Sequence, residues 1–309
     1  MLDAIAFPIG YMLRFIYTHL AFGNYGVAII LLTVFLRLLL TPLTLKQYYA
    51  SAKISEVQPR LKKIQKSYAH DKEKLGLETM KLYKEHNVNP AGSLFPMLIQ
   101  MPMFFALYYV ISQPLKYMVG KSPDDILRLY EMIPVTNRVA NMRDLSIIGY
   151  FSKFPDRVAV AGDLLRSGDL INMDFFGVNL GAIPTYRYLE FMEAPMRTQN
   201  LLLLLIPLAA VVTTYVSVRY PLRQTTGATE DTTQGFAPGT MSLIAAAVTG
   251  MVAFSVPAGL GLYWTAGNMA QMLQNMTLNA FVSKRAPDKK KQRKCKTTKR
   301  ICTSAQERN

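Results

Sequence analysis

The sequence is poor in the side chains that usually carry catalysis or bind metals. It contains two cysteines, Cys295 and Cys302, and three histidines, His19, His70 and His86, which are scattered along the chain. Two thiols in a lysine-rich stretch without histidine or cysteine partners nearby do not form a zinc site, and we interpret them as free thiols. The HExxH, GxSxG and P-loop patterns are absent as well. We therefore expect no catalytic residues, no cofactor and no metal, and we do not expect an enzyme.

Acidic residues are also scarce. The chain has 20 Asp and Glu against 35 Lys and Arg, a formal net charge of +15, and none of the acidic residues lies within the long apolar segments. Without carboxylates inside the bilayer, coupling to protons or sodium ions by the usual groups is disfavoured. We find no secretory signal with a short apolar core and cleavage site, and no lipobox cysteine, so we expect the first span to act as its own targeting signal.

Long apolar segments are what the sequence has in abundance. Half of the residues are hydrophobic, and they gather into blocks long enough to cross a bilayer, which takes about 20 residues as helix. The charged residues lie between these blocks, a partition typical of helical membrane proteins with several spans. The pattern predicts an interfacial amphipathic helix (1–22), five transmembrane helices (23–46, 90–115, 199–218, 240–256 and 258–279), a helical hairpin (47–89), an extracytoplasmic region (116–198), a loop (219–239) and a basic tail (280–309).

Charge distribution predicts the orientation of these segments. Residues 46–89 hold ten basic and five acidic residues at helical spacing, with a break at Asp71–Gly76, and residues 283–309 hold eleven basic and two acidic residues. The positive-inside rule then places the hairpin, the 219–239 loop and the tail in the cytoplasm, and the N-terminus outside. Residues 116–199 carry ten basic and ten acidic residues, and a long electroneutral loop of this kind escapes the rule. We expect a multi-pass protein of the bacterial inner membrane.

Arg37 is the most informative single residue, because it lies well inside the first predicted span. A charge at mid-span costs about 3 kcal/mol on the translocon scale, and arginine cannot lose its proton to avoid that cost. No acidic residue within a predicted span can pair with it, so the residue predicts a hydrated groove. The alternative stays open that its side chain snorkels to the cytoplasmic interface, since Lys46 follows nine residues later.

Further polar residues within the predicted spans agree with a hydrated interior. Together with Arg37, the candidate groove residues are Gln100, Thr214, Asn268 and Gln271. For each of them, hydrogen bonding between neighbouring helices is an equally open interpretation.

Four segments of the chain together resemble the YidC family of membrane insertases. They are NYGVAIILLTVFLRLLLTPLTLKQ (24–47), NPAGSLFPMLIQMPMFFALYYVI (89–111), MDFFGVNLGAIPT (173–185) and FSVPAGLGLYWTAGNMAQMLQ (254–274). The first places Arg37 where the family carries its groove arginine. The resemblance is to the short form of the family, because nothing here corresponds to the large periplasmic domain of the Gram-negative members. Residues 116–169 are longer than the usual external loop, and no role is assigned to them.

The resemblance implies an all-α, polytopic integral membrane protein whose five transmembrane helices surround a hydrophilic groove. That groove would be open to the cytoplasm and the lipid and closed on the outer side. The implied function is a membrane protein insertase and chaperone, acting on nascent membrane proteins alone or with the Sec translocon. The basic tail predicts contact with anionic lipids or with the ribosome, and both remain open; no DNA partner is expected.

The leading alternative is a membrane transporter or channel. Such a protein should show paired inverted repeats, and the sequence shows no internal symmetry of that kind. A chaperone that folds already inserted proteins is a second alternative, which differs from an insertase in timing more than in structure.

Overall fold

A computed structural model describes residues 2–88, 95–138, 142–184, 198–226 and 238–285. The helices are α1 (Leu2–His19), α2 (Tyr25–Leu39), α3 (Thr41–Ser67), α4 (Lys72–Glu85), α5 (Phe95–Ser112), α6 (Pro123–Glu131), α7 (Arg143–Lys153), α8 (Val158–Ala161), α9 (Thr198–Thr226), α10 (Pro238–Ala253) and α11 (Ala258–Arg285). The predicted helical class is therefore confirmed in its coarse form. The all-α prediction misses one small feature, an antiparallel hairpin of β1 (Asp174–Phe175) and β2 (Val178–Asn179).

The chain divides into two compact units, Met1–Ala270 and Gln271–Asn309, and the boundary between them falls within helix α11. In the first unit, one core cluster takes buried residues from α1, α2, α5, the described part of the region 116–198 and the start of α11. In the second unit, the structure describes the end of α11, up to Arg285.

Among the described residues, one helix is long and apolar enough to cross a membrane by itself, over Leu202–Arg219 of α9. Helix α2 and the first part of α3 pass the same test only as a pair bent by 57°. Met101–Ser112 and Ser242–Ala253 are shorter apolar helices. A helix thus lies over each predicted span, and the number of spans stays a prediction.

The first predicted span, 23–46, differs from a single straight helix. Helix α2 ends at Leu39, and α3 begins at Thr41 with Pro42 in its first turn. Proline has no N–H, and its ring would clash with the carbonyl four residues earlier, so a helix cannot continue through this position without a kink. The sequence contained this proline, but the long apolar run around it favoured one continuous span.

Helices α3 and α4 pack against each other in the region where a hairpin was predicted for residues 47–89, although α3 begins earlier, at Thr41. The place of this hairpin in the cytoplasm stays a prediction. A small separate core of Val57, Leu61, Leu82 and Val88 holds the two helices together. The turn between them is earlier than predicted, because Asp71 caps α4 by accepting the Lys74 N–H at 3.0 Å. Gly76 therefore lies inside α4, where the sequence had suggested a break.

Helix α1 packs on the end of α5 and on the π-helical turn Leu115–Val119 that follows it. Gly10 permits this contact, since a Cβ on it would lie 2.3 Å from the Tyr117 carbonyl oxygen. Arg14 donates to the Met118 and Val119 carbonyls at 3.2 and 3.1 Å. These carbonyls end a helical turn and need such donors. Whether α1 also lies in the membrane interface stays a prediction.

The described part of the region 116–198 is folded rather than an extended loop. Helices α6 and α7 pack on each other and contribute Leu129, Ile147 and Phe151 to the main core. The buried Asp144 of α7 accepts the Lys116 N–H at 3.1 Å, which ties this region to the end of α5.

Candidate functional site

The candidate site is built on helix α2, whose two ends differ in their surroundings. Asn24 caps the helix by accepting the Val27 N–H at 3.0 Å, and Tyr25, Ala28, Ile29 and Leu32 are buried in the core. Arg37 lies in the last turn and is half-buried. Twelve residues at 1.5 Å each separate it from Tyr25, so it lies about 18 Å along the helix from the first residue.

Arg37 faces helix α11. Its Nη2 lies 3.6 Å from the position that a Cβ on Gly267 would occupy, and the Thr33 Cγ2 lies 3.8 Å from the same point. Arg37, Thr33 and Tyr263 line a cavity of about 10 Å³ together with Leu36, Leu40 and Met103. That is about the volume of one water probe. The cavity is therefore large enough for one water molecule and too small for a polypeptide segment.

Next to Gly267, Asn268 connects α11 to α9. Its side-chain amide donates to the Thr214 hydroxyl at 2.8 Å and to the Thr213 hydroxyl at 3.2 Å. Thr213 also donates to its own helix, at the Ala209 carbonyl, as a threonine in an apolar helix commonly does. The structure therefore places Arg37 beside Gly267, and it places the next residue of α11, Asn268, in contact with two threonines of α9.

The opposite end of the bundle is closed by close packing and backbone hydrogen bonds. The Ala258 and Gly259 N–H groups at the start of α11 each donate at 2.9 Å, to the carbonyls of Ala182 and Leu180. A Cβ on Gly259 would lie 3.2 Å from Ile111 and 3.4 Å from Ile29, so glycine permits the close approach. These contacts satisfy helix-end donors that would otherwise be orphaned and leave this end apolar and tightly packed.

The five predicted groove residues have different outcomes. Arg37 lies beside α11, and Asn268 contacts Thr214 directly. Gln100 lies in α5, and its side chain lies outside the described residues. Gln271 belongs to the second unit, where its side chain is half-buried and the residue has an interaction partner. The grouping of all five in one groove stays a prediction.

Two cavity residues were missed from sequence, Thr33 and Tyr263. Thr33 is buried, and its hydroxyl donates to the Ile29 carbonyl at 2.6 Å. Its position four residues before Arg37 could have indicated it, because such residues share a helical face. Tyr263 gave no comparable signal. Among the described residues, no three His, Cys, Asp or Glu side chains come together as a possible metal site.

Residues 16–285 match the model of the family described as 60Kd inner membrane protein. The chain belongs to this family. It is similar to proteins named membrane protein insertase YidC: 30% identical over 272 residues to that of Clostridium perfringens, covering 88% of this chain and 85% of the relative.

Other relatives with the same name match a shorter stretch more strongly. The chain is 48% identical over 109 residues to the protein of Blochmanniella floridana, and 49% identical over 89 residues to that of Clostridium tetani. These alignments cover 35% and 29% of this chain, and only 19% and 40% of the respective relatives. Nothing in these family relationships favours the transporter or channel that the sequence left as an alternative.

Proposed function

We propose that this chain is a membrane protein insertase and chaperone, which lowers the barrier for moving polar segments of nascent membrane proteins into the bilayer. The observation that carries the proposal is Arg37, which is half-buried among apolar helices and lies beside Gly267. The next residue after Gly267 is Asn268, which contacts α9. The family membership and the names of its relatives support the same function.

The physical basis of the mechanism is a shortened apolar path. Moving a polar or charged segment through hydrocarbon is costly. A site that offers a cation, an amide and hydroxyls part-way across gives such a segment polar partners before it reaches the far side. Arg37 attracts acidic side chains of the substrate, while the substrate's apolar residues pass into lipid along the surface of α9, where Leu205, Leu208 and Val212 are exposed.

Access to this site is proposed to require movement of α11 away from α2 and α5, because residues of these three helices line the Arg37 cavity. Movement of α11 relative to α9 would also break the Asn268 contacts with Thr213 and Thr214. Polar bonds of this kind within a membrane are worth about 0.6 kcal/mol on average. A substrate segment that offers its own polar groups can replace them at small cost.

The topology that fits this mechanism has the N-terminus and residues 116–198 outside, and the α3–α4 hairpin and the basic tail in the cytoplasm. The five predicted spans would then bring Arg37 towards the cytoplasmic side of α2. Nascent membrane proteins are the proposed substrates. The Sec translocon, the ribosome and anionic lipids are proposed partners, the last two through the tail.

The test is insertion of a single-span substrate with an acidic translocated tail into proteoliposomes holding only the purified protein. Protease protection reports insertion, and no ATP is supplied. We expect protection well above that of empty liposomes, a severalfold loss with Arg37→Ala, and near wild-type protection with Arg37→Lys, which keeps the charge.

Arg157→Ala is the matched control, because Arg157 is an exposed arginine of the external region. It should insert the substrate as wild type does. Equal insertion by wild type and Arg37→Ala would reject a role of this charge. Protection no higher than in empty liposomes would reject autonomous insertion, and it would favour a chaperone that depends on the Sec translocon.

A further inference from the structure

Two phenylalanines at the tips of turns adopt a backbone conformation that phenylalanine normally avoids. Phe22, in the turn between α1 and α2, has φ +49° and is 91% exposed. Phe176, between β1 and β2, has φ +51° and is 82% exposed. Each is followed by a glycine with positive φ, Gly23 and Gly177. In the described part of the chain, the one other non-glycine residue with positive φ is Asn87, a residue type that tolerates it.

Neither local preference nor packing accounts for these two side chains. In a two-residue hairpin with positive φ at both central positions, Asn-Gly or Asp-Gly is strongly favoured over Phe-Gly. A bulky residue there is strained, and such strain persists where function requires it. The Phe176 ring contacts that of its neighbour Phe175, with centroids 4.7 Å apart, and is otherwise largely open. Both positions thus combine a disfavoured backbone with an exposed apolar ring.

The two turns lie side by side. The Tyr17 hydroxyl of α1 accepts the Asn172 N–H at 2.9 Å, just before β1, and lies 3.9 Å from the position of a Cβ on Gly23. The Phe175 ring covers Gly26 at the start of α2 so closely that no Cβ could fit there. The β-hairpin is therefore docked on the α1–α2 corner, and this contact brings Phe22 and Phe176 to one part of the surface.

The surface around these tips fits lipid. Phe22 comes three residues before the start of α2, whose exposed side chains include Leu31, Val34 and Phe35. Residues 15–36 contain no Asp, Glu, Lys or Arg. The apolar surface of the corner therefore continues without a charge into that of the first predicted span. Phenylalanine is among the side chains that interfacial segments bury at the boundary between headgroups and acyl chains.

We propose that Phe22 and Phe176 insert together into the outer leaflet of the membrane and anchor the α1–α2 corner at the lipid interface. The anchor rests on the proposed orientation of α2, and it does not depend on what the protein inserts. The two rings fix the depth of the corner in the membrane, and through the docked β-hairpin they fix the depth of the external region as well.

The test uses tryptophan fluorescence, because Trp264 is the single tryptophan of the chain. In a Trp264→Phe background, Phe22→Trp and Phe176→Trp are placed singly in vesicles of phosphatidylcholine brominated near the headgroup end of the acyl chains. Val160→Trp is the control, at a position 65% exposed in α8 of the external region. We expect quenching at 22 and at 176 that is at least threefold stronger than at 160.

A second measurement uses the wild-type protein and so avoids any effect of substitution on folding. Vesicles carrying a photoreactive lipid should give adducts on peptides with Phe22 and Phe176, but not on the peptide with Val160. Quenching and adducts no stronger than at position 160 would overturn the proposal. Quenching at one of the two positions alone would reject joint insertion. No substrate is used, so these results are separate from any failure of insertion.

Discussion

Replacement of Asp144 by asparagine should change how the stability of the protein depends on pH. Asp144 is 3% exposed, and its carboxyl accepts the Lys116 N–H at 3.1 Å. Burial raises its pKa from 3.8 to about 6, because the charged form loses hydration, and the hydrogen bonds and the nearby Lys116 offset this only in part. Asparagine keeps an oxygen that can accept the same N–H, but it does not titrate.

The direction of this pKa shift determines whether the free energy of unfolding rises or falls with pH. Below pH 3.8 the carboxyl is protonated in both the folded and the unfolded protein. Between that value and about 6, the folded protein retains a proton that the unfolded chain has released, so the free energy of unfolding falls as pH rises. A shift of about two units corresponds to about 3 kcal/mol in total. Between pH 5 and pH 7.5, the free energy of unfolding should fall by about 1.4 kcal/mol of this total.

The assay compares melting temperatures in detergent at pH 5 and pH 7.5. The wild type should lose stability relative to Asp144→Asn by about 1.4 kcal/mol over this interval, or about 3 °C for a chain of this size. Ser146→Ala is the control, because it removes a buried hydrogen bond to the Met142 carbonyl from the same helix without removing a charge. It should lower both melting temperatures equally. A wild type and Asp144→Asn with parallel pH profiles would refute a buried, proton-retaining carboxyl.

Two further predictions test the contacts of α1 and α11. Gly10→Ala should lower the melting temperature by an amount equivalent to about 1–3 kcal/mol, because its Cβ would meet the Tyr117 carbonyl. The control Gly149→Ala should melt as wild type does, because the space around Gly149 is open. Equal melting temperatures of the two variants would contradict the docking of α1. In a double-mutant cycle, Asn268→Ala and Thr214→Val should show a coupling of about 0.6 kcal/mol, whereas strictly additive effects would contradict their hydrogen bond.

The sequence predicted best those elements that depend on long runs of similar residues. Each apolar block corresponds to a helix, because a segment that buries apolar side chains must also satisfy its backbone, and helices do so locally. Local exceptions were harder to predict. Pro42 ends a helix inside an apolar run. In α1, Ala6 and Gly10 are buried together with Ile9, Leu13 and Ile16, while Ile5 is exposed, so the packed face includes small residues that allow close approach and is not defined by apolar residues alone.

The site could be predicted from single residues but not from their contacts. Arg37 was recognisable because a charge in an apolar run is costly wherever it lies. Its position beside Gly267, and the contact between Asn268 and Thr214, join residues far apart in sequence. Asp144 gave no signal, because its burial results from the packing of α7 on the end of α5. Phe22 and Phe176 likewise became informative only through their backbone angles.

The two ends of α2 differ in what would have to break for a water-filled path to open. At the Tyr25 end, such a path would wet Ile29, Leu107 and Ile111, which are fully buried, at about 1.5–3 kcal/mol for each side chain. It would also break the backbone hydrogen bonds that hold the start of α11. At the Arg37 end, movement of α11 breaks bonds of Asn268 to α9 that water or a substrate can replace.

Opening should therefore begin at the Arg37 end and stop near the level of Ile29. A polar segment that enters from the α3 side then meets Arg37 before it meets a packed apolar barrier, so it cannot simply flow through. The segment has to leave sideways into lipid or cross a shortened apolar layer. This asymmetry suits an insertase better than a channel, because a channel needs a polar path that reaches both ends of the same helix.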